Sequence, residues 1–202
     1  MESKGKLITA HQLRYGSYMC IIPEVYNLKK IKQRNDWHED NVLDHTIDVV
    51  SCLEQLTYQW SELSEMIDEH AREDILLLSA TLHDIGKLTT GIDKGDKISF
   101  PNHEEVGAEI ASSMLYPFSL SKKEENRVLN LIRYHGEIHE SIKYDDWKER
   151  FSELGKKVPI LEMTLLGLAD TRASKLGKTR PEDYKLRIMR FEGALENYKL
   201  DN

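Results

Sequence analysis

Apolar residues recur at spacings of three and four along most of the chain, with polar residues filling the positions between, and this period predicts helices almost throughout. One stripe runs Val42, Val49, Leu53, Leu56 and Trp60, and His45 lies on it. A second covers Arg72 to about Lys87, with Ile75, Leu78, Leu82 and Ile85 facing inward. A third follows Asn102, read as an N-cap with Glu105 three residues on, and carries Val106, Ile110 and Met114 as far as Pro117. Ser121 and Glu124 form a capping box for a helix through Val128, Leu131 and Ile132. Pro159 opens the apolar run "ILEMTLLGLAD", and Pro181 opens a last amphipathic helix with Tyr184, Ile188, Phe191, Leu195 and Tyr198 on one face. A short helix is expected from Pro23 to Lys30, and "GIDKGDKISFPN" reads as a loop with one extended piece at Ile98 to Phe100. The fold class is therefore all-α, a single-domain helical bundle over 1–202. Its core spans about 38–176, with an N-terminal helical extension at 1–37 and a C-terminal amphipathic helix at 181–199. The last stripe suits core packing first and a homodimer seam second.

Polar groups interrupt these stripes. His45 continues Val49 and Leu53, the doublet His83-Asp84 follows Leu78 and Leu82, His103 precedes Val106, His135 extends Leu131, and Asp170 extends Leu166. A single histidine on an apolar face is usually a core residue with a hydrogen-bond partner. A buried carboxylate is costlier, on the order of several kcal/mol when unpaired. Six such groups from five helices exceed structural need, and a divalent metal accounts for them. The set holds nitrogen and oxygen but no thiolate, which disfavours structural zinc and suits Mn, Fe, Co, Ni or Mg. One or two ions are expected; a pair about 3.5–4 Å apart, bridged by Asp84, would use all six ligands. Of the remaining histidines, His11 and His70 read as surface residues, His38 as structural, and His139, one turn beyond His135, as a residue at the pocket's edge.

Composition narrows the partners. The chain has 202 residues, 40% hydrophobic and 31% charged, enough for one sizeable core. Its net charge of -7 supplies no global basic field, so nucleic acid enters only as an RNA end. No apolar run approaches membrane-spanning length and no signal peptide is evident, so a cytoplasmic protein is expected. Cys20 and Cys52 lack CxxC spacing and read as packing residues, and no GxSxG supports a serine nucleophile.

His45, the doublet in "LHDIGK" and Asp170 in "GLADTRAS" resemble the H…HD…D pattern of the HD superfamily of metal-dependent phosphohydrolases. His103 in "FPNHEEVGAEIA" and His135 in "IRYHGE" resemble the extra histidines of members that hold two metals. With "PEVYNL" and "DWHEDNVLDHTIDVV", the stretch from about Pro23 to Glu140 is similar to the C-terminal HD domain of bacterial CCA-adding tRNA nucleotidyltransferases. No Gly-Gly pair opens a helix and no DxD pair lies on a strand, so CCA addition is not expected; the chain resembles the HD module standing alone. The resemblance implies phosphoester hydrolysis on small nucleotides, of the 2′,3′-cyclic phosphodiesterase or phosphatase type. It makes His45, His83, Asp84 and Asp170 the core metal ligands, with His103 and His135 completing a second position. Asp84 and Lys87 are the expected catalytic groups, with Lys87 facing the phosphate. Arg133, Arg172 and Lys175 lie close in sequence to the ligands and are candidates for substrate binding. The alternatives are a nucleoside triphosphate or dinucleoside polyphosphate hydrolase, and a non-catalytic module that binds RNA ends or a separate nucleotidyltransferase.

Overall fold

The computed structural model describes residues 6–33 and 41–201, so His38 and the start of the segment at Trp37 lie outside the described residues. The helices in chain order are α1 (Ala10–Arg14), α2 (Pro23–Asn27), α3 (Val42–Thr57), α4 (Arg72–Leu82), α5 (Lys87–Thr90), α6 (His103–Met114), α7 (Lys122–Ser141), α8 (Trp147–Gly155), α9 (Ile160–Ala173), α10 (Leu176–Thr179) and α11 (Pro181–Asp201). One antiparallel hairpin pairs β1 (Ile92–Asp93) with β2 (Ile98–Ser99), the expected extended piece. The all-α expectation holds. No helix among the described residues is long and apolar enough to cross a membrane.

Two helices form the centre. On α4 every residue from Ile75 to Leu82 is buried, and on α9 every residue from Leu161 to Thr171. Helices α3 and α7 pack against both, and α11 covers the far side of α9. The N-terminal elements share this core, with Ile8, Leu13, Ile22, Val25 and Leu28 in its buried cluster. The last stripe packs within its own chain: Phe191 and Leu195 are buried, and Gly167 on α9 makes room for Phe191, since a Cβ there would stand 2.7 Å from that ring.

Local signals explain most boundaries. Asn41 caps α3 by accepting from the Asp44 amide, and the Ser121–Glu124 capping box forms as expected. The expected capping box at Asn102 does not: Asn102 sits in the left-handed region at φ 56° and its side chain makes no cap bond. Of the face expected at Val106, Ile110 and Met114, only Met114 is buried; Val106 and Ile110 are half-buried, and α6 packs through Gly107, Ala108 and Ala111, small residues that allow close approach. The helix expected to reach Lys87 ends at Leu82, and His83 is its C-cap. Cys20 is exposed rather than packed, while Cys52 packs partly buried against the core. His11 is exposed as expected, but His70 is half-buried and lies 3.2 Å from Glu124 through Nδ1.

Glu124 is fully buried and receives the amides of Glu69, His70 and Ser121 at 2.7–2.8 Å. Burial alone would raise its carboxyl pKa; the N–H groups of Ser121, His70 and Glu69 outweigh burial and hold it below the ordinary glutamate value. Its contribution to stability is therefore complete above the unfolded value of ~4.3 and fades as pH falls through the lower folded value. In urea titrations Glu124→Gln should cost about 2 kcal/mol at neutral pH and flatten the acid limb of stability below pH ~4.3. An unchanged acid limb in the variant would contradict this account.

Candidate metal centre

Five segments deliver the site. His45 comes from α3, His83 and Asp84 from the turn that ends α4, His103 from the first residue of α6, His135 from α7 and Asp170 from α9. The fold brings all six expected ligands together as two groups of three. His45, His83 and Asp170 offer ligand atoms within 4.8 Å of one another, and so do Asp84, His103 and His135. Asp84 joins the groups. Its Oδ1 faces His103 Nε2 at 3.4 Å and His135 Nε2 at 3.8 Å, while its Oδ2 lies 3.4 Å from His83 Nε2.

The backbone sets the tautomers. His83, His103 and His135 each direct Nδ1 at the carbonyl three residues back, those of Ala80 (2.7 Å), Phe100 (2.9 Å) and Ile132 (2.6 Å). A carbonyl only accepts, so each Nδ1 carries a proton and each ring turns its Nε2 edge toward the centre. His83 Nε2 is buried without a hydrogen bond. His103 Nε2 and His135 Nε2 stand 3.2 Å apart, close enough to share a proton or to face one cation. A divalent cation satisfies both features, and backbone-anchored imidazoles are the usual way to orient metal ligands. The residues present thus fit a metal, by orphaned nitrogen and by donor chemistry.

The electrostatics favour ionised carboxylates and a neutral His135, and they favour on His83 a proton that a bound metal would displace. Burial raises the Asp84 carboxyl pKa, but Lys87, His83 and His103 outweigh it and hold the group well below its ordinary range. Burial does the same at Asp170, where His139 and His45 overcome it. Burial, with His103 and His83 nearby, pushes the His135 pKa well down and keeps that ring neutral. Burial also acts against a proton on His83, but Asp84 and Asp170 prevail and raise its pKa.

The other expected site residues fare differently. Lys87 Nζ donates to Asp84 Oδ2 at 2.7 Å and to Gln33 Oε1 at 2.8 Å, so it is tied to the ligand Asp84 from inside, although it lines the cleft. Arg133 and Arg172 lie outside the cleft, paired with Glu105 and Glu192 at 2.8 and 2.9 Å, and Lys175 does not line it. Two residues join the site that the sequence left aside or at its margin. Gln33 is buried beside Lys87, and His139 Nε2 lies 2.8 Å from Asp170 Oδ2. The cleft, about 430 Å³, is lined by the carboxylates Asp84, Asp170, Glu104, Glu137 and Glu140 against the ammonium groups of Lys87 and Lys143.

Gly86 is what lets the doublet reach α6. A Cβ at Gly86 would lie 2.1 Å from the His103 carbonyl oxygen and 2.7 Å from the Gly107 amide nitrogen. Backbone cannot give way as a side chain can, so Gly86→Ala must part Asp84 from His103. Thermal denaturation should show a loss of about 3 kcal/mol or more, together with loss of bound metal. An alanine variant as stable as the parent would refute the close crossing.

Comparison with known proteins places this geometry in context. The HD domain family model matches residues 42–174, well over half of the chain. Three curated bifunctional uridylyltransferase/uridylyl-removing enzymes are similar to it. That of Corynebacterium glutamicum is 28% identical over 125 residues, covering 60% of this chain and 15% of the relative. That of Cereibacter sphaeroides is 29% identical over 127 residues, covering 59% and 12%. That of Hydrogenovibrio crunogenus is 25% identical over 171 residues, covering 79% and 18%. The chain therefore spans less than a fifth of the length of these relatives. The matches stand at the level of the superfamily and do not speak to the narrower likeness to CCA-adding enzymes.

Proposed function

The chain belongs to the HD domain family, whose members are metal-dependent phosphohydrolases, and from that premise we propose that it hydrolyses phosphodiester bonds of small nucleotides, of the 2′,3′-cyclic type, with two divalent ions in the cleft. The observation that carries this reading is the pair of three-ligand groups meeting at Asp84 on the wall of an open cleft. When bound, the ions would supply Lewis acidity toward the phosphoryl oxygens and a water activated for attack. The chain's own residues do the rest. His45, His83 and Asp170 would hold one ion, and Asp84, His103 and His135 the other. Lys87 holds Asp84 by one oxygen and leaves the other turned toward His103 and His135. Lys143, paired with Glu140 at the cleft, is the ammonium best placed to meet a phosphoryl oxygen.

The balance of charge favours a diester. Carboxylates dominate the lining, both of its lysines are paired with carboxylates, Lys87 with Asp84 and Lys143 with Glu140, and Arg133, Arg172 and Lys175 stand elsewhere. A singly charged diester meets less repulsion there than a triphosphate, which needs several converging cations. The relatives are named for removing uridylyl groups, and a uridylyl group is itself a nucleotide, which supports a nucleotide-bearing ester. The six ligands also argue against a purely binding module, which has no use for so many costly buried groups.

Metal-stripped protein should be reloaded in turn with Mn²⁺, Fe²⁺, Co²⁺, Ni²⁺ and Mg²⁺ and offered 2′,3′-cyclic nucleotides, nucleoside monophosphates, triphosphates and bis-p-nitrophenyl phosphate. Cyclic nucleotides and the synthetic diester should turn over, with triphosphates slower by at least about tenfold. Preferred hydrolysis of triphosphates would overturn the substrate class, and no turnover with any ion would overturn the activity.

A further inference from the structure

Helix α7 reaches the centre twice. His135 turns into the group with Asp84 and His103, and His139, four residues on and on the same helix face, turns toward the other group. Asp170 is held between two imidazoles: its Oδ1 lies 2.9 Å from His45 Nε2, and its Oδ2 lies 2.8 Å from His139 Nε2. Helix α11 backs His139 from outside the cleft. Arg187, itself buried, donates to the His139 carbonyl at 3.2 Å, and the Phe191 ring stands edge-on to the imidazole at 6.0 Å between centroids. His139 is thus fixed both at its backbone and at its ring.

We propose that His139 is a positioning residue for the ion held by His45, His83 and Asp170. In this role its Nε2 edge, 2.8 Å from Asp170 Oδ2, would donate there and fix the carboxylate plane, so that Oδ1 stays turned toward His45. This inverts the common arrangement in which a carboxylate orients a ligating histidine; here a histidine orients a ligating carboxylate, and partners of this kind typically carry 10–100-fold in metal affinity, roughly. It also accounts for a titratable side chain lining the cleft outside both three-residue ligand groups. The proposal rests on the reading that this group binds a metal.

The test uses Mn²⁺ alone, titrated by calorimetry into metal-stripped full-length chain, with parent, His139→Leu and His139→Gln compared. Glutamine keeps an N–H donor of similar reach, and leucine keeps the bulk without it. Affinity at one ion position should fall about 10–100-fold in His139→Leu, with the second position unchanged. His139→Gln should recover binding to within about threefold. The visible spectrum of the Co²⁺-loaded Gln variant should match the parent, because no ligand has been lost. If leucine binds as tightly as the parent, the positioning role falls and the metal reading stands. If Gln binds as poorly as Leu with an altered Co²⁺ spectrum, His139 is itself a ligand and the proposal is wrong. A parent that binds no Mn²⁺ removes the premise and the proposal together. If Leu does not fold, the comparison of Gln with the parent decides alone.

Discussion

Asp84→Ala should remove bound metal and lower phosphodiester hydrolysis by about a thousandfold or more. The side chain contributes in two directions at once. Its Oδ1 faces His103 and His135 and its Oδ2 faces His83, so alanine dismantles one ligand group and breaks the link to the other. The variant also strands Lys87, whose buried ammonium would keep only Gln33, a loss of about 3 kcal/mol in stability. Asp84→Asn separates these effects. It keeps the volume and an acceptor for Lys87, but not the charge that the protein maintains by holding the Asp84 carboxyl well below its ordinary pKa. Elemental analysis beside initial rates should therefore find both variants poor in metal and inactive, with Asn the more stable. Retained turnover in Asp84→Ala would contradict the assignment of Asp84 as the bridge.

The largest expected loss of stability lies away from the centre. Glu162 on α9 is fully buried and accepts from Arg72 Nε at 2.9 Å and Nη2 at 3.1 Å, and it is also paired with Arg127. Arg72 opens α4 and Arg127 lies on α7, so one carboxylate ties three helices. Glu162→Ala would leave two guanidinium groups facing each other with Glu65 as the nearby anion on Arg72, and it should cost about 3–5 kcal/mol in urea denaturation. Mn²⁺ affinity of the folded variant should be unchanged, since none of these residues belongs to either ligand group. A loss below about 1 kcal/mol would mean that water replaces the carboxylate at little cost.

How much could be read from the sequence follows from helical geometry. The six candidate ligands were legible because they continue or adjoin apolar stripes, where packing calls for a buried side chain; their convergence into two groups is what the fold adds. Arg133 and Arg172 misled because closeness in sequence was taken for closeness in space. Each stands two residues from a ligand, which on a helix points it to a different face. His139, four residues from His135, shares the face and reaches the site. Gln33 lay in a polar stretch with no stripe to mark it, and Lys87 carried no sign that its ammonium would be taken by Asp84 and Gln33. The early end of α4 was hidden because Ile85 is buried in the turn as it would be in a helix. The left-handed Asn102 was hidden because asparagine suits both an N-cap and that conformation.

Anomalous diffraction from crystals grown with Mn²⁺ addresses the central claim most directly. The account predicts two peaks per chain in the cleft, one among His45, His83 and Asp170 and one among Asp84, His103 and His135, with the Asp84 carboxylate between them. Crystals with no peak at either group, and with His103 Nε2 still against His135 Nε2, would contradict it.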